Sequence, residues 1–503
     1  MLPFGFDNTY VRALPGSYVA WQPATAPAPR LLFLNDALAD ELGLDIASLS
    51  RADAAALFAG NTLPAGAEPI AQAYAGHQFG GFSPQLGDGR ALLLGEVIDR
   101  TGQRRDIAFK GSGRTPFSRG GDGKAAVGPM LREVLIGEAM HALGIPTTRA
   151  LAVAATGEPV YREQPLPGAV LTRVAASHLR VGTFQFFAAR SDRDSLERLA
   201  EYTIARHDPA LAGRPDRHLG LLHAVTARQA TLIAQWMNVG FIHGVMNTDN
   251  MALSGETIDY GPCAFLEAYD PQAVFSSIDR DGRYAYGNQP HIARWNLARF
   301  AETLLPLMAE AGDEAAVQHA VAQAMEVIDA FPALHAAALL RGQRAKLGLF
   351  AATPSDDADD SALVADWLTE LQRQSVDFTL AWRHLADAAQ GQDAALHALF
   401  AAPDALDAWL ARWRARCARD DAAGGPGAAQ RAASMRRVSP WIIPRNQRVE
   451  EALAAATNGD DLVPFERLLA ALRRPFDTAP ELAPFSEPAP AEVTAGYRTF
   501  CGT

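Results

Sequence analysis

The chain has 503 residues, 49% of them hydrophobic and 20% charged, which is enough for several domains and a large buried core. Its 45 Lys and Arg against 57 Asp and Glu give a net charge of −12, which argues against general binding to nucleic acids or to anionic membranes. No apolar run reaches about 18 residues and the first residues do not resemble a signal peptide, so we expect a cytoplasmic protein without a membrane span. With only three cysteines, a disulfide framework and a cysteine-based zinc site are excluded.

The first stretch that indicates chemistry is a glycine-rich turn at residues 87–90. It is preceded by residues 1 to about 70, which contain loop signals and one predicted helix, at 31–42. Two apolar strands follow the turn, one predicted at 91–98 and one ending at Lys110. Gly87 and Gly89 allow the backbone to approach a ligand closely, so that N–H groups there could face a phosphate. A plain tight hairpin is the alternative.

Lys110 ends an apolar strand, where an ammonium group is costly unless it reaches an anion. The helix predicted at 129–143 offers two carboxylates, Glu133 and Glu138, on different faces. We expect Glu133 to face the sheet and to pair with Lys110, as the corresponding lysine and glutamate do in kinases. A solvated strand end and a solvated helix carboxylate are the alternatives.

The segment between that strand and that helix is a long polar loop rich in glycine. It contains Asp122 and Gly123 among several charged residues. A loop of this length in a compact domain is usually either functional or disordered.

Two arginines, Arg173 and Arg180, lie at and beyond the end of three strands predicted within residues 148–174. If the segment that holds them is helical, a spacing of seven residues puts both guanidinium groups on one face. Two guanidinium groups on one face can clamp a phosphate. Exposure to solvent is the alternative.

The remainder of the chain is predicted to be mainly helical. Apolar periodicity indicates helices at 221–239, 291–311, 314–331, 362–374 and 396–416. The acidic stretch 355–360 is predicted to be a solvated linker, 420–429 a flexible break, and the proline-rich residues 475–503 a surface wrap.

Residues 243–261 read HGVMNTDNMALSGETIDYG and carry the strongest chemical signal. Asp249, Asn250 and Asp259 lie on two short apolar segments joined by a Ser-Gly turn, and three oxygen-bearing side chains at such spacing suit a hard divalent cation. Kinases hold Mg²⁺ with an Asn after the catalytic loop and with the Asp of an Asp-Phe-Gly turn. The kinase base, two residues after the His, is replaced here by Val245. This replacement removes the usual general base, and the motif leaves open which group takes its place.

Six stretches read YAGHQFGGFSPQLGDGRALLLGE, DIAFKGSGRTPFSRGGDGKA, LREVLIGEAMHALGIPTTRAL, LTRVAASHLRVGTFQFF, HGVMNTDNMALSGETIDYGPCAF and NQPHIARWNLARFAE. Together they resemble the selenoprotein O family of protein adenylyltransferases, and the likeness covers most of the chain. The resemblance implies an α+β, protein-kinase-like bilobal fold with an N-terminal extension and a helical C-terminal region. The implied boundaries are 1–70 for the extension, 71–180 for the N-lobe, 181–352 for the C-lobe, and 361–503 for the C-terminal helices and tail.

The resemblance also implies the activity. AMP is transferred from ATP to Ser, Thr or Tyr hydroxyls of proteins with release of pyrophosphate, because the nucleotide binds flipped relative to ordinary kinases. UTP is a second candidate nucleotide, and Mg²⁺ or Mn²⁺ is the implied metal. An ordinary phosphotransferase and a catalytically inactive ATP-binding scaffold are the alternatives. Val245 argues against the first, and the intact Lys110, Asn250 and Asp259 argue against the second.

The functional residues of the family match positions of this chain one by one. By this resemblance the nucleotide is contacted by Gly87, Gly89, Arg90, Lys110, Asp122, Gly123, Arg173, Arg180 and Asp259. Glu133 is the ion-pair partner of Lys110. Asn250 and Asp259 hold the metal, and Asp249 is the catalytic proton acceptor.

Two cysteines suggest redox control. Cys263 follows Asp259 by four residues, in the segment that corresponds to a kinase activation loop, and Cys501 lies in the C-terminal tail, where eukaryotic family members carry selenocysteine. A reversible Cys263–Cys501 disulfide could pin that segment under oxidising conditions. Two unrelated reduced thiols are the alternative. Cys417, in a predicted helix, is interpreted as a packing residue.

Overall fold

The fold places most strands in the first 175 residues and mostly helices after them. The computed structural model of the chain describes residues 4–310 and 312–500. Its strands are Tyr18–Ala20 (β1), Arg30–Leu34 (β2), Ile70–Gln72 (β3), Gly76–Gln78 (β4), Gly81–Ser83 (β5), Ala91–Ile98 (β6), Arg104–Lys110 (β7), Ala125–Ala126 (β8), Arg149–Tyr161 (β9), Pro165–Ala175 (β10), Phe241–Ile242 (β11) and Ala264–Phe265 (β12). Its helices are Thr9–Ala13 (α1), Asp36–Glu41 (α2), Arg51–Phe58 (α3), Val127–Ala142 (α4), Val181–Ala188 (α5), Arg193–His207 (α6), Arg217–Val239 (α7), Gln289–Met308 (α8), Glu314–Leu347 (α9), Asp357–Arg373 (α10), Phe378–Ala388 (α11), Ala394–His397 (α12), Pro403–Ala422 (α13), Gly427–Arg436 (α14), Asn446–Gly459 (α15), Val463–Leu472 (α16), Ala483–Ser486 (α17) and Ala491–Thr494 (α18). The fold class is α+β with a helical C-terminal region, as the sequence predicted.

The main sheet has eight strands, and its neighbouring strands are antiparallel. Their order is β1-β3-β6-β7-β10-β9-β2, with β8 paired to β10. Short turns join β6 to β7 and β9 to β10, because neighbouring antiparallel strands need only a few connecting residues. Gly102 supplies a φ of 81° in the first of these turns.

Alternation of side chains along the central strands gives the sheet two different faces. On β7, Ile107 and Phe109 pack with the N-terminal helices, whereas Ala108 packs in the cluster that contains α4. Lys110 lies two residues after Ala108, so its side chain projects from the same face of the sheet. Arg173 on β10 lies directly opposite Ala108 in the register, and opposed residues project from the same face. Both cationic side chains therefore face α4.

Helices α10 to α14 contribute to a second hydrophobic cluster, built around tryptophans. Trp367, Trp382, Trp409 and Trp413 are each no more than 2% exposed, and the ring centroids of Trp367 and Trp409 lie 4.5 Å apart. Such aromatic pairs add about 1 kcal/mol to the effect of burying their area. Leu266 belongs to the same cluster, so these helices pack directly on the segment that follows the 243–261 motif.

Two predictions for the first 175 residues need correction. The helix predicted at 31–42 is wrong in its first half, since β2 pairs with β9 and α2 begins only after Asn35, whose side chain caps it. A short apolar run fits strand and helix alike, and the pairing with β9 selects the strand. The three strands predicted within 148–174 are two. Gly157, with a φ of 78°, lies in a bulge and lets β9 continue.

Two polar stretches each contain a buried carboxylate. In the stretch 355–360, predicted to be a solvated linker, residues 355–359 are at least partly exposed, but Asp360 is 0% exposed and pairs with Arg344. Asp420, the first residue of the predicted flexible break 420–429, is 1% exposed and pairs with Arg431. The predictions fail at these two residues because cations distant in sequence are folded against the carboxylates, and buried charges are normally paired.

Helix α9 is longer than the sequence predicts. Its expected end at residue 331 precedes Pro332, but the helix continues to Leu347 and ends at Gly348, which has a φ of 73°. Helix α9 packs against α7 and α8, and this packing holds it together across a proline that removes one N–H donor. Although α9 is long, no helix within residues 4–310 and 312–500 combines the length and apolar character needed to cross a membrane.

His207, the last residue of α6, is expected to make folding stability depend on pH. Burial and the nearby Arg206 lower its pKa from 6.5 to about 4. Between these values the unfolded chain binds the extra proton, so the free energy of unfolding should fall by about 1 kcal/mol per pH unit as the pH drops. Denaturant titrations should show a smaller fall in the free energy of unfolding between pH 7 and pH 5 for His207→Gln than for the wild type. The exposed control His291→Gln should show the same fall as the wild type. A fall in His207→Gln equal to that of the wild type would contradict the assignment to His207.

Candidate active site

A cleft of about 800 Å³ lies between the main sheet, helix α4 and the segment 245–262. It is lined by all the predicted nucleotide, metal, catalytic and ion-pair residues: Gly87, Gly89, Arg90, Lys110, Asp122, Gly123, Glu133, Arg173, Arg180, Asp249, Asn250 and Asp259. Their roles remain predictions. Seven Lys or Arg side chains and five Asp or Glu side chains line the cleft. A local excess of cations in a chain of net charge −12 suits an anionic ligand.

Lys110 is held between two carboxylates. Its Nζ lies 2.5 Å from Glu133 Oε1 on α4 and 2.5 Å from Asp259 Oδ1. Glu133 is 6% exposed and also accepts from the backbone N–H of Tyr260 at 3.3 Å. Glu138 instead pairs with arginines outside the cleft. The partner of Lys110 on α4 is therefore Glu133.

Asp259 opens the Asp-Tyr-Gly turn with a φ of 64°, a left-handed conformation that Asp and Asn tolerate better than most residues. Its Oδ1 accepts from Lys110 and from Arg173 Nη1, the latter at 2.8 Å. Burial alone would raise the pKa of this carboxyl, but Lys110 and Arg173 hold it well below its ordinary range. Asp259 is therefore an anion at neutral pH.

Arg173 and Arg180 do not share a helix face. Arg173 lies in β10 and Arg180 precedes α5. The prediction that both lie on one face of a helix is therefore wrong, although both side chains line the cleft. They are only 4% and 3% exposed, which excludes the solvated alternative.

The described residues leave part of the Arg180 guanidinium group without hydrogen-bond partners. It lies 4.6 Å from the centroid of the Tyr74 ring, and Asp88 Oδ1 is 3.8 Å from Nη1, too far for a hydrogen bond. Nε and Nη1 are buried without an acceptor among the described residues. Buried unpaired donors are costly, so this group indicates an anionic ligand such as a phosphate.

The glycine-rich turn packs against the polar loop that follows β7. Gly87 has a φ of 104°, and a Cβ there would lie 2.5 Å from the Phe117 ring. Gly123 has a φ of 68°, and a Cβ there would lie 2.2 Å from a backbone oxygen of the same loop. Glycine is required at both positions. Asp122, which immediately precedes Gly123, pairs with Arg162 at 2.8 Å, which ties the loop to the turn after β9.

Asn250 and Asp259 fit a divalent cation. Asn250 Nδ2 donates to the carbonyl of Val245 at 3.0 Å, and no described residue donates to Asn250 Oδ1 or to Asp259 Oδ2. Groups of three or more His, Cys, Asp or Glu suited to a metal are absent from the described residues. Mg²⁺ is commonly held by one or two carboxylates, phosphate oxygens and water, so these two side chains suit a metal shared with a nucleotide.

The two carboxylate oxygens of Asp249 have different surroundings. Gln78 Nε2 donates to Oδ2 at 3.2 Å, whereas Oδ1 is buried with no hydrogen-bond partner in the described part of the chain. Burial raises the pKa of Asp249 to about 6, which suits a general base near neutral pH. Gly76 leaves room for this carboxylate, since a Cβ there would lie 2.9 Å from Oδ1. Val245, two residues after His243, is 7% exposed and offers no titratable group.

Tyr74, Gln78 and Asp88 line the cleft but were not predicted from the sequence. Asp88 lies between two glycines, where Asp is a common solvated turn residue, yet it is 5% exposed and accepts from the backbone N–H of Gln72. Tyr74 and Gln78 give no signal in the sequence either. Their roles arise from contacts with Arg180 and Asp249, which are far away in sequence.

Cys263 is fully buried in a polar contact rather than poised for reaction. Its Sγ lies 3.1 Å from the carbonyl oxygen of Tyr260, and it is 0% exposed. Burial raises the pKa of the thiol to about 11, so it stays protonated at neutral pH and reacts slowly. Cys501 lies outside the described residues, and its pairing with Cys263 remains a prediction. Cys417 is partly buried in α13.

For ATP, the nucleotide that the sequence resemblance implies, Glu133→Gln is expected to weaken binding about tenfold, because Lys110 loses one of the two carboxylates that hold its Nζ in place. Glu138→Gln is the matched control, since Glu138 is buried on the same helix but pairs outside the cleft. A binding titration with a fluorescent ATP analogue should separate the two variants. Equal ATP affinity for Glu133→Gln and the wild type would show that the Lys110–Glu133 pair does not prepare the site.

Comparison with known proteins gives first the class and then the family. An α+β chain with a cationic, carboxylate-lined cleft has the groups that a nucleotidyltransferase needs, and this chain is an enzyme of that class. A family model described as protein adenylyltransferase SelO matches residues 4–473. The chain belongs to this SelO family.

Several relatives of nearly equal length carry the name protein nucleotidyltransferase YdiU. The one from Chromobacterium violaceum is 62% identical over 490 residues, covering 97% of this chain and 100% of the relative. A relative from Cereibacter sphaeroides is 60% identical over 504 residues, with complete coverage of both chains. A relative from Rhizobium rhizogenes is 56% identical over 503 residues, covering 100% of this chain and 97% of the relative.

Proposed function

We propose that the chain transfers AMP from ATP to a Ser, Thr or Tyr hydroxyl of a protein substrate and releases pyrophosphate. The observation that carries this proposal is the arrangement at Asp249. Its buried, unpaired Oδ1 lines the same cleft as the cationic groups, while Val245 occupies the position of the kinase base. Membership of the SelO family supports the same reaction.

The proposed architecture is a kinase-like bilobal fold. Residues 71–180 form the N-lobe and 181–352 the C-lobe, with an extension at 1–70 and a C-terminal helical region at 361–503. The position of the cleft, between the antiparallel sheet with α4 and the 243–261 motif, supports this division. Packing of Leu266 in the tryptophan cluster supports a C-terminal region that braces the C-lobe.

In the proposed complex, the phosphates of ATP satisfy the cationic groups of the cleft. Lys110 and Arg173 already face Asp259, and Arg180 offers two buried nitrogens that lack acceptors. Gly87 and Gly89 let the backbone approach the nucleotide. Catalysis then rests on positioning and on electrostatic stabilisation of the phosphates, as in other phosphate-transferring enzymes.

The chemical step forms one bond and breaks one. The acceptor hydroxyl oxygen attacks the α-phosphorus, the bond from that phosphorus to the α,β-bridging oxygen breaks, and pyrophosphate leaves with that oxygen. Asp249 Oδ1 takes the proton of the hydroxyl, for which a pKa of about 6 leaves it ionised at neutral pH. Asn250 and Asp259 would hold Mg²⁺ or Mn²⁺, which when bound would neutralise phosphate charge.

ATP labelled separately on the α- and γ-phosphates tests the proposal. Label from the α-position on protein, with unlabelled γ, is the expected result. Protein label from the γ-position would mean a phosphotransferase, and tight ATP binding with neither label would mean a scaffold. UTP labelled on the α-phosphate reports whether UMP is transferred as well. Removal of divalent cations with EDTA should stop the transfer, and either Mg²⁺ or Mn²⁺ should restore it.

A further inference from the structure

His178 follows β10 and lies outside the cleft, yet it contacts a residue inside it. Its side chain is 2% exposed. Nε2 of His178 lies 3.2 Å from Arg173 Nε, and Nδ1 lies 3.0 Å from Asp106 Oδ2. The backbone N–H of His178 donates to the same Asp106 oxygen at 2.8 Å. Arg173 in turn donates from Nη1 to Asp259 Oδ1 at 2.8 Å, so the chain of contacts reaches the cleft.

The chemistry of the partners fixes the protons along this chain. Arg173 Nε always carries a hydrogen, so His178 Nε2 must be the acceptor. The imidazole hydrogen is then on Nδ1, where Asp106 accepts it. A second hydrogen on Nε2 would oppose the Nε–H of Arg173. Burial lowers the pKa of His178 to about 4, in agreement with a neutral ring at pH 7.

Asp106 is itself fixed by buried charges. Arg206 donates from Nη2 to Asp106 Oδ1 at 2.6 Å and from Nη1 to Glu96 Oε2 at 3.1 Å. The side chains of Asp106, Arg206 and Glu96 are 3%, 5% and 0% exposed. Rotation of the imidazole would break a buried, charge-assisted hydrogen bond to a carboxylate that cannot follow it.

These contacts set the plane of the Arg173 guanidinium group. Its Nε is bound to His178 and its Nη1 to Asp259, whereas no described residue accepts from Nη2. The remaining N–H groups are therefore available to a ligand in the cleft. A guanidinium binds phosphate through a rigid planar fork, so its orientation matters as well as its charge.

We propose that His178 is a positioning residue that orients Arg173 toward the phosphates of the bound nucleotide. The inference rests on the proposed function only where that function assigns phosphate binding to Arg173. The competing role is purely structural, with His178 serving only to satisfy Asp106. The two roles use different ring nitrogens, and this difference separates them.

Two amide variants each preserve the hydrogen bond of one ring nitrogen of His178. In His178→Gln the amide oxygen reaches the place of Nε2 and still accepts from Arg173. In His178→Asn the amide nitrogen takes the place of Nδ1 and still donates to Asp106, but nothing reaches Arg173. ATP affinity in a direct titration should fall about tenfold in His178→Asn and less than about threefold in His178→Gln. The loss should enter KM for ATP, with the rate at saturating ATP nearly unchanged.

A structural role gives the opposite order. It predicts that His178→Asn binds ATP normally and that His178→Gln is the less stable variant in thermal unfolding. That result would overturn the positioning role. The wild-type protein provides a test that needs no variant, because long-range ¹H–¹⁵N correlations report the tautomer. The Nδ1–H form of His178 is expected, and the Nε2–H form would also overturn the proposal.

A double-mutant cycle with Arg173→Met separates this inference from the proposed function. In the Arg173→Met background, His178→Asn should cost no further ATP affinity, because both changes act through one contact. If Arg173→Met alone binds ATP as the wild type does, the phosphate role of Arg173 and the inference both fail. If Arg173→Met binds weakly while His178→Asn binds normally, only the positioning role is overturned. If the losses of ATP affinity in Arg173→Met and His178→Asn add in the double variant, the positioning role is also overturned.

Discussion

Asp259→Asn should lower the rate of AMP transfer by about 10³-fold or more. Asn keeps the volume of Asp and tolerates the φ of 64° at this position, so the change removes charge with little added strain. Without the negative charge of Asp259, Lys110 and Arg173 lose the anion that both contact. The proposed metal also loses its carboxylate ligand. Transfer of α-label from ATP to protein, followed as an initial rate, measures the effect.

Asp281→Asn is the matched control for this prediction. Asp281 is exposed and does not line the cleft, so the same chemical change there should leave the transfer rate within about twofold of the wild type. Thermal unfolding of both variants shows whether the fold is intact. An Asp259→Asn variant that folds and retains a tenth of the wild-type rate would remove Asp259 from the catalytic site.

Asp249→Asn should lower AMP transfer by about 10²- to 10⁴-fold while leaving ATP affinity within about threefold of the wild type. The amide keeps the shape of the side chain and a contact with Gln78, but it cannot take a proton from the acceptor hydroxyl. The separation of rate from binding distinguishes this variant from Asp259→Asn, which loses a group that faces the phosphates. Normal transfer by Asp249→Asn would show that another group is the proton acceptor.

The pH dependence of transfer gives a second readout for Asp249. Because burial raises the pKa of this carboxyl to about 6, the fraction that can accept a proton grows as the pH rises through 6. The wild-type rate should therefore fall about tenfold per pH unit below pH 6 and level off above pH 7. The residual rate of Asp249→Asn should lack this step. A wild-type rate that is flat between pH 5 and pH 7 would contradict the assignment.

Local patterns in the sequence were sufficient for several elements. Strand β6 was predicted with the bounds that the structure has, and β7 with its end at Lys110, because apolar runs between turn residues specify strands. Helix α4 differs from its prediction by one or two residues at each end. The predicted end of a helix at residue 239 agrees with α7, which ends at Val239 and is followed by the left-handed Gly240, φ 76°.

Patterns failed where distant parts of the chain decide the outcome. Asp360 lies in a stretch predicted to be solvated and Asp420 in one predicted to be flexible, yet both carboxylates are buried in ion pairs with Arg344 and Arg431. The spacing of Arg173 and Arg180 suggested a helix face, whereas one lies in a strand and the other at a helix start. Sequence spacing reports neighbours along the chain and carries no information on pairing partners across the fold.

The sequence by itself determined the family and predicted the residues of the candidate site. Lys110, Asp249, Asn250 and Asp259 were predicted from their motifs and from the family resemblance, because metal and phosphate chemistry uses such side chains. Only the tertiary structure decided how these side chains are arranged. Asp259 stands 149 positions from Lys110 and is an anion because folding brings two cations to it. Asp249 has a raised pKa because folding takes water away. Both effects depend on burial and distance in space, which sequence order does not encode.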